Sequence, residues 1–139
     1  MHFTRREALA LGLGGITAAA LPLPALASKV DDAIAAFTGG ATPAEGGVTL
    51  TAPEIAENGN TVPIAVDAPG AVAVAVFATG NPETGVVTFR FGPAAGSRMA
   101  STRVRLAKTQ DVIAVAQMED GSFARTSATV KVTIGGCGG

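Results

Sequence analysis

The chain of 139 residues has no tryptophan, no tyrosine, one cysteine and one histidine. The histidine is His2, which stands inside an N-terminal segment with the marks of an export signal, so a processed chain carries none. That absence excludes a histidine-dependent triad, a Cys–His pair, a haem site and an ordinary zinc site within the chain. A carboxylate-only metal site stays open, but no Asp-rich loop of calcium-binding spacing occurs. With one cysteine there is no second thiol to resolve a mixed disulfide, which argues against a thiol oxidoreductase. Charge of either sign is also scarce. Ten basic residues face 11 acidic ones, and loss of the leader leaves 8 against 10, a net −2 that suggests neither nucleic acid nor anionic lipid as a partner.

The leader is read at residues 1–27. Arg5-Arg6 precedes a weakly apolar run from Ala8 to Ala20, and Ala25-Leu26-Ala27 offers the small residues of a cleavage site. The arginine pair resembles a twin-arginine export signal, although Ala8 and Ala10 depart from the bulky and basic residues usual after it. Gly12, Gly14, Gly15, Pro22 and Pro24 interrupt the run and argue against a membrane anchor. Cleavage after Ala27 sends the rest of the chain to the periplasm.

Residues 28–47 read as a helix and a loop. Val30, Ala33, Ile34 and Phe37 recur at helical spacing, Ser28 suits the cap, Asp31 and Asp32 suit the first turn, and Gly39-Gly40 ends the helix. Residues 48–134 read as a β-sandwich domain of about seven short strands: Val48 to Thr51, Thr61 to Val66, Val72 to Ala78, Val86 to Phe91, Thr102 to Leu106, Val112 to Met118 and Ser127 to Ile134. Pro53 to Glu57 reads as a helical turn, Asn58-Gly59-Asn60 as a turn, and Asp120-Gly121 as a hairpin. Val72, Val74 and Val76 are expected on one face of a central strand covered on both sides. Val130, Val132 and Ile134 are expected to face the core up to Gly135.

Charge divides along the chain. Asp31 to Glu83 holds seven acidic residues and no basic one, whereas Arg90, Arg98, Arg103, Arg105 and Lys108 fall in a stretch without acids. Arg103 and Arg105 are expected to share a strand face. This is either a solvated face, a docking surface for an acidic partner, or a guide for an anionic adduct.

Residues 135–139 read Gly135-Gly136-Cys137-Gly138-Gly139, a flexible arm around the one thiol. Glycine on both sides gives the segment wide backbone freedom, and the reach beyond the last strand is roughly 10 Å at ~3.6 Å per residue. An unpaired cysteine in an exported chain suggests a reactive thiol or an intermolecular partner. The arm carries no basic residue to favour the thiolate, so Cys137 is available without being self-activated. It suits the covalent carriage of a group into active sites that other proteins supply.

This terminal pattern closely resembles the carrier arm of the SoxY family, the sulfur-carrier subunits of the bacterial periplasmic thiosulfate-oxidising system. Glu57-Asn58-Gly59-Asn60-Thr61-Val62-Pro63, Arg103-Val104-Arg105-Leu106 with Thr109-Gln110, and Val130 to Ile134 are similar to that family as well. The resemblance implies an all-β, immunoglobulin-like sandwich paired as a heterodimer with SoxZ, a second small β-sandwich protein. It implies that Cys137 is the point of covalent attachment and that the chain is a carrier with no cofactor of its own. Its implied partners are a c-type cytochrome enzyme that conjugates thiosulfate to the thiol, a metal-dependent hydrolase that releases sulfate, and a molybdenum/haem dehydrogenase for the remaining sulfane sulfur.

Two other readings compete. A diglycine end is shared with ubiquitin-like sulfur carriers, but their ATP-dependent activation needs a cytoplasmic partner, and this strand-rich chain lacks their strong mid-chain helix. A structural module tethered by an intermolecular disulfide through Cys137 is the other. Prenylation is excluded, since only two residues follow the cysteine.

Overall fold

A computed structural model describes residues 24–134. The leader up to residue 23 and the arm, Gly135, Gly136, Cys137, Gly138 and Gly139, lie outside the described residues.

Among the described residues one helix, α1 (Pro24–Thr38), precedes nine strands: β1 (Ala44–Glu45), β2 (Thr49–Thr51), β3 (Ile55–Ala56), β4 (Val62–Asp67), β5 (Ala71–Ala78), β6 (Gly85–Arg90), β7 (Met99–Val104), β8 (Gln110–Met118) and β9 (Phe123–Val132). The larger sheet runs β1-β9-β8-β5-β6, with β3 also on β9, and the smaller runs β2-β4-β7. Their facing sides bury Val62, Ile64, Val66, Val74, Val76, Leu106, Val112 and Val130 in one core. Short β-branched strands that alternate inward and outward, as β4 does, require this two-layer solution.

The larger sheet is also covered on its outer side. Val30 and Ile34 of α1 are buried against Ala75, Phe77, Ile113 and Val115. Phe37 meets Phe77 and Phe123 edge-on, with ring centroids 6.4 and 6.0 Å apart. This double cover explains why β5 and β8 are apolar on both faces. The helix starts at Pro24 rather than Ser28, so Ser28, Asp31 and Asp32 fall inside it and its first turn holds no acid. Among its described side chains, Val30, Ala33, Ile34 and Phe37 make the contacts with the sheet. At its end Gly39 takes a φ of 68° and Gly40 N–H donates to Ala35 C=O at 3.1 Å, a Schellman closure.

Seven of the nine strands are the expected ones, and the two additions are only two residues long. β1 and β3 both pair parallel with β9, where a loop and a helical turn were expected. The cause is tertiary: the outer edge of β9 carries main-chain groups that need partners, and that demand outweighs the turn preference of Pro53 to Glu57. The Gly46-Gly47 link after β1 is equally constrained. Gly47 has a φ of 80°, and a Cβ there would stand 3.1 Å from that of Ala124.

Two inward assignments change. A register shift between Ala71 and Ala73 puts Ala71, Val74, Val76 and Ala78 in the core and leaves Val72 half-buried outside it. β9 ends at Val132, so Ile134 is 61% exposed rather than inward. The Asp120-Gly121 hairpin is as expected, in three-residue form. Gly121 has a φ of 87°, Met118 N–H donates to Ser122 C=O at 2.8 Å, and Gly121 N–H to Met118 C=O at 3.0 Å.

Candidate functional site: the pole where the C-terminal segment leaves the sandwich

The strand ends sort into two poles. At one, β9 runs out beside the loops Glu57–Thr61, Thr79–Thr84 and Arg105–Thr109. The register dictates this grouping, because Val130 opposes Gln110, Val112 opposes Ala78, Phe77 opposes Gly85, and Val104 opposes Val62. The hairpin at Gly121 and the Phe91–Arg98 loop lie at the other.

Beyond the β8 ladder the last residues of β9 are held one by one. Val132 N–H donates to the Thr109 hydroxyl at 2.9 Å, so a side chain replaces the missing strand partner. On the opposite edge Lys131 N–H donates to Glu54 C=O at 2.9 Å and Thr133 N–H to Ala56 C=O at 3.0 Å. The Thr133 hydroxyl donates to Glu57 C=O at 3.1 Å. Gly59 N–H then donates to Ile134 C=O at 2.8 Å, while Gly59 C=O accepts from Leu106 N–H at 2.8 Å. Main-chain bonds, not core burial, therefore anchor the chain as far as Ile134. The Asn58-Gly59-Asn60 turn that makes this joint is itself closed by Asn60 N–H to Asn58 Oδ1 at 3.0 Å.

A second polar cluster stiffens the same pole. Gln110 is 6% exposed, and its Oε1 accepts from Gly80 N–H at 2.7 Å. Its Nε2 donates to Asn81 Oδ1 and to Lys108 C=O, both at 2.9 Å. Asn81 Nδ2 donates to Arg105 C=O at 2.7 Å, and Asn81 Oδ1 accepts from Ala107 N–H at 2.9 Å. The 105–109 loop, which supplies Leu106 and Thr109, is thus fixed by the amides of buried Gln110 and half-buried Asn81. A Cβ on Gly80 would stand 3.1 Å from Gln110 Cβ, so a side chain there would press on the cluster.

The three stretches that carry the family resemblance converge here: 57–63 supplies Gly59, 103–110 supplies Leu106 and Thr109, and 130–134 supplies the arm's root. Sequence reasoning quoted Thr109 and Gln110 without a role and passed over Asn81. Polar residues at the boundaries of apolar strands were the available signal, but their partners lie 23 to 30 residues away in sequence.

The charges at this pole are mixed and exposed: Glu54, Glu57, Glu83 and Asp111 against Arg105, Lys108 and Lys131. Arg103 and Arg105 are exposed either side of buried Val104 and ahead of buried Leu106, so the expected alternation holds, with β7 ending at Val104. Both arginines line a cleft between β6 and β7. Among the described residues no three His, Cys, Asp or Glu side chains gather as a metal set. Cys137 and its four flanking glycines lie outside the described residues, so the geometry on the page is that of their attachment point.

Fold and attachment point define an immunoglobulin-like β-sandwich whose C-terminal segment leaves a braced pole. The pattern of the family described as sulfur oxidation protein SoxY matches residues 34–137, a span that includes Cys137. The solved sulfur carrier protein SoxY from Chlorobium limicola f thiosulfatophilum is 41% identical, with a TM-score of 0.66, over 78% of this chain and 99% of that one. A superoxide reductase (neelaredoxin) from Ignicoccus hospitalis matches at a TM-score of 0.55 and 14% identity, over 63% of this chain and 80% of that one, a likeness of fold alone. No curated protein matches the chain significantly. The chain belongs to the SoxY family. It is accordingly a sulfur carrier in sulfur oxidation, acted on by enzymes rather than being one, and the family implies a Sox-system partner such as SoxZ.

Proposed function

We propose that Cys137 is the covalent attachment site and that Gly135, Gly136, Gly138 and Gly139 form the arm that carries it between partner enzymes in thiosulfate oxidation. The observation that carries this reading is the bracing of β9 through Gly59, Thr109 and Thr133 as far as Ile134, three residues before the only cysteine. A rigid root next to a glycine-flanked thiol gives reach without loosening the domain.

In this cycle the Cys137 thiol and thiosulfate lose two electrons and one proton to the conjugating c-type cytochrome enzyme, forming a cysteine S-thiosulfonate. Water then cleaves the terminal sulfur–sulfonate bond on a metal-dependent hydrolase, releasing sulfate and leaving a sulfane sulfur on Cys137. A sulfane dehydrogenase oxidises that sulfur in turn. The leader at residues 1–27 delivers the chain to the periplasm, where SoxZ completes a heterodimer, and the carrier itself needs no cofactor.

Intact-mass spectrometry of the native complex tests the proposal. With thiosulfate and the partner enzymes present, reductant-labile sulfane or sulfonate additions are expected on Cys137 and absent from Cys137→Ala. A thiol that stays unmodified under those conditions sinks the reading. A covalent dimer lost in Cys137→Ala, without any sulfur adduct, supports the structural-module alternative. Adducts confined to the Gly139 carboxylate support the diglycine one.

A further inference from the structure

The sandwich is open along one side. Among the described residues β6 pairs only with β5, and β7 only with β4. Ala68 N–H donates to Arg98 C=O at 3.0 Å, which sets the phase of the β4–β7 ladder. In that phase Val62–Val104, Ile64–Thr102 and Val66–Ala100 exchange hydrogen bonds, so the main-chain groups of Met99, Ser101 and Arg103 point away from β4. Among the described residues no strand meets them. Between this edge and β6 lies a cleft of 390 Å³ lined by Val86, Val87 and Val104 and by Arg103, Arg105 and Glu83.

We propose that the β7 edge takes up an extended segment of another protein, in which acidic and apolar residues alternate, as a fourth strand of the smaller sheet. Each part of that description follows from a feature of the edge. The row of free N–H and C=O groups binds main chain of any sequence. Val104 is buried and Arg103 exposed, so neighbours of an added strand alternate between the valine floor of the cleft and its arginine rim, where Arg103 and Arg105 outnumber Glu83. Arg98 is engaged with Glu119 at 3.2 Å and Arg125 lies 3.5 Å from Glu45, whereas Arg103 and Arg105 form no ion pair among the described residues. Arg90 adds a further exposed cation on β6. The same charges disfavour a second copy of this chain, because edge-to-edge pairing through β7 gathers both copies' Arg103 and Arg105 into one sheet. A strand held here lies beside the arm's root, since Leu106 follows Arg105 and reaches Ile134 through Gly59. Binding is read without any sulfur adduct, so it stands or falls separately from the carrier chemistry.

The test uses the full processed chain and a blocked peptide that alternates valine and glutamate, followed by amide NMR. Shifts and slowed hydrogen exchange are expected at Ser101 and Arg103, weakening with added salt. The double variant Arg103→Glu/Arg105→Glu alters two exposed positions and keeps the fold, which the unchanged amides of buried Val74 and Val115 verify. It is expected to lose about tenfold or more in affinity for that peptide and to gain affinity for its valine–lysine counterpart. Methylating alternate peptide nitrogens is expected to remove binding. No response at millimolar peptide, equal binding of the lysine peptide by the unaltered chain, or shifts confined to the outer face around Ala65 would overturn the proposal and leave the arginines as guards of a solvated edge.

Discussion

Replacing Gln110 by leucine tests whether buried amides hold the arm's pole. The change removes the acceptor for Gly80 N–H at 2.7 Å and the donors to Asn81 Oδ1 and Lys108 C=O at 2.9 Å. Three hydrogen bonds at a net ~1 kcal/mol each amount to about 3 kcal/mol, and a part-buried Gly80 N–H left without a partner adds about 1 kcal/mol. Burial of the leucine side chain returns about 1 to 2 kcal/mol. The expected net loss is about 2 to 3 kcal/mol, roughly 10 °C in Tm for a domain of this size. Urea unfolding of the single variants and of the pair with Asn81→Ala supplies the check. Gln110 and Asn81 share one bond, so their effects are expected to fall short of additivity by about 1 kcal/mol. Stability within measurement error of the unaltered protein, or strict additivity, would show that the cluster does not hold the pole.

Two further outcomes follow from backbone and charge, alongside those for Cys137 and for the β7 edge. Gly47→Ala is expected to destabilise the domain by about 1 to 2 kcal/mol from its left-handed φ, with an added cost because the new methyl meets Ala124 at 3.1 Å; the loss is measurable by chemical denaturation. At the distant hairpin the Ser122 hydroxyl, and then the Ser122 amide, hold the Asp120 carboxyl below the ordinary carboxylate range. A depressed folded value means stabilisation that is present above the unfolded value and lost as pH falls through the folded one. Ser122→Ala removes the larger cause, so a carboxyl NMR titration is expected to show Asp120 moving up toward its ordinary value and to show less acid dependence of hairpin order.

Local pattern made most of this fold legible. Valine-rich runs broken by Gly, Asn and Asp gave seven strands, because each sequence period reflects a face that must be buried. The helical spacing of Val30, Ile34 and Phe37 was legible for the same reason, though the helix start was misplaced when Ser28 was read as a cap. What failed was whatever depended on a distant partner. β1 and β3 exist because β9 offers an edge, the bulge near Val72 reflects pairing with β8, and Ile134 turns outward because strand pairing stops at Val132 and the bonds to Ala56 and Gly59 hold only its main chain.

The sequence by itself determined which reactive groups the chain can offer: one thiol, Cys137, set among glycines, and one histidine, His2. Composition can settle that much because a reactive group that is absent cannot be created by folding. Only the tertiary structure decided how the arm is rooted and where the basic stretch lies. Gly59, Leu106 and Ile134 are far apart in the chain and meet through main-chain bonds to which no local pattern points, and the Thr109 hydroxyl reaches Val132 in the same way. Likewise Arg103 and Arg105, which as a run of charge fitted several readings, acquire a direction from the unpaired edge of β7 on which they stand.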